Sequence, residues 1–360
     1  VIPNEILAGL DGRKPAALAR AISLVENGAP GFEELLSALH PRLGRSRRIG
    51  ITGPPGAGKS TLTERLTGVF RQAGLTVGII AVDPSSPFTG GALLGDRIRM
   101  ERQSLDPGVF IRSMASRGSL GGMAVTTGEV ADVMDAYGFD RLLIETVGVG
   151  QSELDVMAHS DTTVVVLVPE SGDGIQVMKA GLMEIADVFV VNKADRPGAD
   201  RLRQELEVSL GLRAGQVYRH VQAHHGTDLR GVRGHGGTAA RERRGADALP
   251  ASRDPALPPA WEPPVLATVA HQGAGVADLA AALDRHFAWL EGSERLAARR
   301  RQRLEARTRD VLDRALKRWL RADGPNDAMV AALREVTAGE RTPYEAAAGI
   351  LARLEEAATR

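Results

Sequence analysis

The chain has 360 residues, with 45 basic residues against 45 acidic ones and no cysteine. That length holds one large domain with attachments, or two domains. The balanced charge gives no sign of a nucleic-acid or polyanion binder, and the missing cysteine excludes disulfides, thiol catalysis and cysteine-ligated metal. No secretory signal stands at the N-terminus and no apolar run approaches membrane-spanning length, so the expectation is a cytoplasmic protein with no membrane partner. Beginning at Val1, the chain is expected to have lost an initiator Met. Only five of the 45 basic residues are lysines (Lys14, Lys59, Lys179, Lys193 and Lys317), and two of these fall in the motifs described below, where an ammonium and a guanidinium are not interchangeable.

Residues 1–46 read as helical. Ala16, Leu18, Ala19, Ala21, Ile22 and Leu24 make one apolar face, and Phe32, Leu35, Leu36 and Leu39 make another. The expectation is a small helical extension packed on a main domain of residues 47–290. That domain opens with a short buried strand, Arg48 to Thr52. Gly53 to Ser60 then reads G-P-P-G-A-G-K-S, a full match to the phosphate-binding loop pattern G-x-x-x-x-G-K-[ST]. From Thr61 to Ala73, Leu62, Leu66, Val69 and Phe70 recur at helical spacing. Strand, glycine loop and helix together aim backbone N–H groups and a helix N-terminus at phosphate oxygens. Gly56, Ala57, Gly58, Lys59, Ser60 and Thr61 are the expected phosphate-binding residues. Lys59 would reach the β- and γ-phosphates, and the Ser60 hydroxyl would sit on Mg²⁺.

Further apolar runs follow at 75–83, 109–111, 142–144, 164–168, 188–191 and 265–269, alternating with helical stretches. Continuous Val/Ile/Leu runs separated by helices indicate a mostly parallel sheet covered on both faces. The fold class expected is therefore α/β, a P-loop NTPase with helical N- and C-terminal extensions. Ligands bind at the carboxyl ends of such strands, and Asp83, Glu145 and Asn192 each end or directly follow an apolar run. Residues 211–264 lose periodicity and read as a long irregular insertion holding His220, His224, His225 and His235. Residues 291–360 are helical again. Leu296, Leu304, Val311, Leu312, Ala315, Leu316, Trp319 and Leu320 form a stripe that either folds back on its own domain or packs against a second subunit.

Asn192-Lys193-Ala194-Asp195 matches N-K-x-D at a strand end, about 135 residues beyond the phosphate loop. The Asp195 carboxylate can accept from both the ring N–H and the exocyclic amine of guanine, a pair of donors that adenine lacks. Lys193 can lie along the ring or brace the phosphate loop. Glu145-Thr146-Val147-Gly148 sits where many GTPases carry D-x-x-G. Its acid would act on Mg²⁺, and the Gly148 N–H would meet the γ-phosphate. Val149 takes the place of the water-positioning glutamine of Ras-like enzymes, and Gln151 is the nearest candidate. Asp83 is a second Mg²⁺ or water contact. Asp96 is either a metal-side or catalytic acid or a helix cap.

Three strings carry a family resemblance: Ala81 to Ser86 (A-V-D-P-S-S), Thr89 to Met100 (T-G-G-A-L-L-G-D-R-I-R-M) and Glu145 to Glu153 (E-T-V-G-V-G-Q-S-E). With Leu18 to Asn27 at the N-terminus, they resemble the MeaB/ArgK family of methylmalonyl-CoA-mutase-associated GTPases. That family includes the human protein behind one form of methylmalonic aciduria. The resemblance covers about 5–210 and 262–292. It implies a Mg²⁺-dependent GTPase that binds GTP and GDP, gating cofactor loading and protecting an adenosylcobalamin-dependent acyl-CoA mutase. By resemblance, Lys59, Asp83, Asp96 and Glu145 serve hydrolysis, and Ser60, Asp83, Asp96 and Glu145 the metal. Asn192, Lys193 and Asp195 serve guanine, while Gln176 and Lys179, within 171–181, sense the partner. The resemblance also implies a homodimer through the C-terminal helices. Ala270 would offer its N–H to the guanine oxygen, although the usual Ser before it is Val269 here. Two rival expectations are a nickel- or zinc-delivering maturation GTPase, which the histidine-rich insertion would suit, and a non-hydrolysing GTP-sensing module. Metal retention and turnover would separate them.

Overall fold

A computed structural model describes residues 4–83, 103, 105–115, 126–146, 155–169, 181–213, 260–320 and 325–358. Its centre is a seven-stranded sheet: β1 (Arg47–Thr52), β2 (Val77–Asp83), β3 (Val109–Ala115), β4 (Arg141–Glu145), β5 (Thr162–Leu167), β6 (Val188–Asn192) and β7 (Val265–Thr268). The spatial order is β3-β2-β4-β1-β5-β6-β7, and every neighbouring pair is parallel. The chain leaves β1, builds outward to β3, returns to insert β4 beside β1, and then builds the other half from β5. Growth therefore reverses around β1, the position at which α/β sheets open a crevice for ligands.

The two sheet faces are sorted by the period of two. Ile49, Ile51, Ile79, Leu143 and Val164 face one side, where they pack with α4 (Lys59–Gln72) and with the helix Val276–Gly292, whose Val276, Leu279, Ala280 and Leu283 join that cluster. Ile80, Val82, Leu142 and Ile144 face the other side. There they meet α1 (Asn4–Asp11), α2 (Pro15–Glu26), α3 (Phe32–Leu39) and α5 (Thr127–Tyr137). Val165, Leu167, Phe189 and Val191 meet α6 (Ala199–Arg213) and the short turn Leu182–Ile185. Strands buried on both faces explain the continuous apolar runs.

The N-terminal helices share this core. Leu18, Ala21, Ile22, Val25 and Leu35 are fully buried. Arg48 of β1 is buried with Asp132 and Asp135 of α5 at 2.8 and 2.9 Å. Asp135 also accepts the N–H groups of Gly44, Arg45 and Ser46, so the segment that leads from the N-terminal helices into β1 is held by one carboxylate. Residues up to Leu296 form one compact unit and Ala297–Arg360 a second. Residues 4–46, expected as a helical extension packed on the main domain, fall in the first of these units, since their buried side chains share the core of the sheet. The expected start of the insertion at 211 differs: α6 continues helical to Arg213.

The helix after Val276–Gly292, labelled α7, is α8 (Arg295–Leu320). It is followed by α9 (Pro325–Thr337) and α10 (Pro343–Ala358). No residue of α8 is buried; Leu304, Val311, Leu312 and Leu316 are exposed. At the start of α10, Thr342 and Glu345 form a reciprocal capping box, Glu345 accepting from Thr342 N–H and donating its own N–H to the Thr342 hydroxyl. Among the described residues no helix is long and apolar enough to cross a membrane.

Candidate nucleotide site

The loop after β1 is shaped by what surrounds it. At Gly53 (φ +140°) a Cβ would stand 2.1 Å from the Val166 carbonyl oxygen of β5, so only glycine lets the backbone pass. Gly58 (φ +85°) is equally constrained, with a Cβ falling 2.4 Å from Asn192 Nδ2. Helix α4 begins directly after Gly58 with no side-chain cap. No capping hydroxyl thus occupies this helix N-terminus, the end of a helix that suits an anion. Lys59 is buried and donates from Nζ to the Gly53 and Pro54 carbonyls at 2.8 and 3.1 Å, which folds the ammonium back over the loop.

Ser60 Oγ donates to Glu145 Oε1 at 2.5 Å. Glu145, the last residue of β4, is buried and lies in register with Ile51 of β1 and Ala81 of β2. The insertion of β4 beside β1 is what brings residues 60 and 145 together. A hydroxyl and a carboxylate oxygen side by side are hard donors of the kind a small divalent cation takes while keeping several waters. The residues present thus fit Mg²⁺. Thr146 braces the same strand end, its hydroxyl donating to Thr52 Oγ1 at 3.0 Å and its N–H to the Ile51 carbonyl.

Asn192 ends β6 and is buried. Its Nδ2 donates to the Ala57 carbonyl at 2.8 Å, and its Oδ1 accepts from Thr268 Oγ1 at 3.0 Å and from the Ala270 N–H at 3.1 Å. Lys193 follows in the left-handed region (φ +56°), rare for a side chain with Cβ. That turn sends the chain so that Ala194 N–H reaches the Thr268 carbonyl and leaves Asp195 exposed. The loop after β7 is tight: Val269 N–H bonds the Ala274 carbonyl, and a Cβ at Gly275 would meet the Ala267 carbonyl at 2.2 Å. Arg65 of α4 donates to the His271 carbonyl at 2.8 Å, tying this loop to the helix of the phosphate loop.

The structure therefore brings Gly56, Ala57, Gly58, Lys59, Ser60, Thr61, Glu145, Asn192, Lys193, Asp195 and Ala270 to the carboxyl edge of strands around β1. Asp83 closes β2 on the same edge. Asp96, Gly148, Gln176 and Lys179 lie outside the described residues. Sequence reading did not find Thr52, Thr146 or Arg65. The contact from Arg65 to residue 271 has no local signal, since it depends on where β7 joins the sheet. The role of the Thr268 hydroxyl was half-visible, one residue before the expected departure at Val269. Among the described residues no group of three or more His, Asp or Glu gathers to hold a metal.

A parallel sheet that reverses around a glycine-rich strand–loop–helix, with a hydroxyl–carboxylate pair beside it, defines a P-loop nucleotide-binding protein. The chain belongs to the MeaB family: the family model described as "Methylmalonyl Co-A mutase-associated GTPase MeaB" matches residues 18–324. A Pyrococcus abyssi protein provisionally named a GTPase is 43% identical over 348 residues, covering 97% of this chain and 95% of that one. The mouse protein named "Methylmalonic aciduria type A homolog, mitochondrial" is 39% identical over 235 residues, 60% of this chain and 57% of that one. A crystal structure titled as a LAO/AO transport system kinase superposes with a TM-score of 0.62 at 25% identity, covering 99% of each chain. The protein is thus a P-loop GTPase that binds GTP and GDP, related to the methylmalonic aciduria type A protein.

Proposed function

We propose that this GTPase is a chaperone for an adenosylcobalamin-dependent acyl-CoA mutase, and that it works as a Mg²⁺-dependent homodimer. The observation that carries the reading is the family match over 18–324, a family whose description names association with methylmalonyl-CoA mutase. In this reading the first turn of α4 and Lys59 hold the phosphates, and Asp195 accepts the two donors of the guanine edge. Lys193 lies along the ring, and Ala270 offers an N–H to the guanine oxygen. Ser60, Glu145, Asp83 and Asp96 hold Mg²⁺, which would neutralise charge on the β- and γ-phosphate oxygens. Glu145 and Asp83 stand at adjacent strand ends, where they would orient the ion's water shell. Gly148 would meet the γ-phosphate. The exposed apolar residues Leu304, Val311, Leu312 and Leu316 of α8 suit a contact with a second copy.

Gln176 and Lys179 would sense the mutase, and gating of cofactor loading would follow from the order they impose on the γ-phosphate side. The test is steady-state phosphate release with and without the candidate mutase. A bound mutase is expected to accelerate hydrolysis, and Gln176→Ala and Lys179→Ala to reduce the stimulated rate while leaving the basal rate unchanged. Absence of stimulation by methylmalonyl-CoA mutase and its isobutyryl- and hydroxyisobutyryl-CoA relatives would remove the chaperone role and leave the GTPase.

A further inference from the structure

At the opposite edge of the sheet from the phosphate loop, β1 and β4 each begin with arginine. Arg47 and Arg141 are register partners in this parallel pair, so two like charges stand side by side. Both turn toward the face covered by α4 and α7. The Arg47 guanidinium lies 4.2 Å from the ring centre of Phe287, and that of Arg141 5.3 Å from the ring centre of Phe70. A single carboxylate serves both cations: Asp284 Oδ1 accepts from Arg47 Nη1 at 2.8 Å and from Arg141 Nη2 at 3.0 Å. The other side-chain hydrogen bond of the two arginines runs from Arg141 Nη1 to the Asp140 carbonyl at 3.3 Å. Among the described residues, the Arg47 side chain makes no further hydrogen bond and Asp284 no further ion pair.

Two guanidinium groups thus share one oxygen of one carboxylate by hydrogen bond, while Asp140 acts on Arg141 through its charge without a side-chain hydrogen bond to it. The Arg141 side chain is 10% exposed, that of Arg47 30% and that of Asp284 52%. Burial, and next the charge of Arg47, hold Arg141 below the usual arginine range against the opposing pull of Asp284 and Asp140. The aromatic rings behind the guanidinium groups steady them through their flat faces and leave N–H edges for an acceptor in plane, the geometry by which arginine binds carboxylate and phosphate. Asp284 satisfies only part of that capacity.

We propose that Arg47 and Arg141 form an oxyanion-binding fork, which takes a phosphate or carboxylate group beside Asp284 at the amino edge of the sheet. This site is independent of the nucleotide reading. The test uses full-length Lys59→Ala protein in every arm, so that the phosphate loop contributes equally. Inorganic phosphate is titrated at constant ionic strength while the Nε–Hε NMR signals of Arg47 and Arg141, assigned with Arg47→Gln and Arg141→Gln, are followed. Saturable shifts of both signals are expected. Arg47→Gln, at a partly exposed position, should weaken the apparent affinity about tenfold or more through loss of a charge-assisted bond. Asp284→Asn removes the internal competitor and should tighten it. A hexaglutamate peptide run in parallel distinguishes a carboxylate-bearing partner from a free phosphate group. Linear, non-saturating drift of both signals with both probes would overturn the proposal, leaving a structural ion cluster. So would equal apparent affinity in the parent protein and Arg47→Gln.

Discussion

Asn192 Nδ2 donates to the carbonyl of Ala57, 2.8 Å away across 135 residues of chain. The same amide accepts from Thr268 and Ala270, so the phosphate loop, the end of β6 and the loop after β7 meet on one side chain. Asn192→Ala would leave three buried polar groups unsatisfied, each costing about 1–3 kcal/mol when the site cannot admit water. A loss of about 3 kcal/mol in urea unfolding is expected, together with faster GDP release. Unchanged unfolding midpoints would mean that water replaces the amide.

The base edge should depend on Asp195. Asp195→Asn is expected to move preference from GTP toward xanthosine triphosphate, because the new amide can donate to the oxygen that replaces the guanine amine. Loss of the charge-assisted pair should weaken GTP by about 1.5–3 kcal/mol. Competition binding checks this, and an unchanged GTP preference would remove the guanine assignment.

Lys193 holds a left-handed conformation (φ +56°) that a glycine adopts without strain. Strain of this kind costs about 1–3 kcal/mol, and the added freedom of a glycine in the unfolded chain offsets about 0.5–1 kcal/mol of the relief. Lys193→Gly is therefore expected to leave thermal stability equal or slightly raised while nucleotide affinity falls. A parallel fall in both would show that the side chain supports the fold rather than the ligand.

Gly56 and Gly58 separate conformation from space. Both have positive φ, but a Cβ at Gly56 meets open space whereas one at Gly58 meets Asn192 Nδ2 at 2.4 Å. Gly56→Ala should cost about 1 kcal/mol, the left-handed penalty alone. Gly58→Ala should cost about 1–3 kcal/mol more, because the Asn192 hub must shift. Equal costs in paired denaturant melts would contradict the close approach.

The buried Arg48–Asp135 pair sets an acid limit. Burial pushes the Asp135 carboxyl up, but the charge of Arg48 and the N–H groups of Ser46 and Gly44 outweigh it, so the group lies below the usual carboxylate range. A depressed carboxylate contributes stability above its unfolded value of about 3.9, and that stability is lost as pH falls through the folded value. Wild-type stability should hold from pH 7 to about 5 and decline below about 4. Asp135→Asn should cost about 3–5 kcal/mol at neutral pH by stranding part of the Arg48 charge, and should flatten that acid decline in urea midpoints taken from pH 7 to 3.

The strand–loop–helix at Gly53–Ser60 and the N-K-x-D turn were legible because each is a local solution to a ligand. The spacing of Gly58, Lys59 and Ser60 is set by phosphate geometry within one helical turn, and no distant residue is needed to recognise it. The strands were legible from apolar runs, with most ends displaced by one or two residues, while β3 runs four residues past the expected 109–111 to Ala115 because its second half carries Arg112 and Ser113. The N-terminal helices showed amphipathic faces, but nothing local revealed that Leu18, Ile22 and Leu35 would complete the same core as Ile80 and Ile144.

By itself, the sequence determined the α/β class, the strand–glycine loop–helix, the N-K-x-D turn at a strand end and the acids that end strands, since all of these are written in periodicity and short spacing. Strand order was decided only by the tertiary structure. Inserting β4 between β2 and β1 puts Glu145 on Ser60 and Arg141 beside Arg47, and carrying the chain on to β6 and β7 puts Asn192 between Ala57 and Thr268. These contacts join residues 76 to 135 positions apart. They follow from which strands share hydrogen bonds, a property of the whole sheet that no local pattern contains.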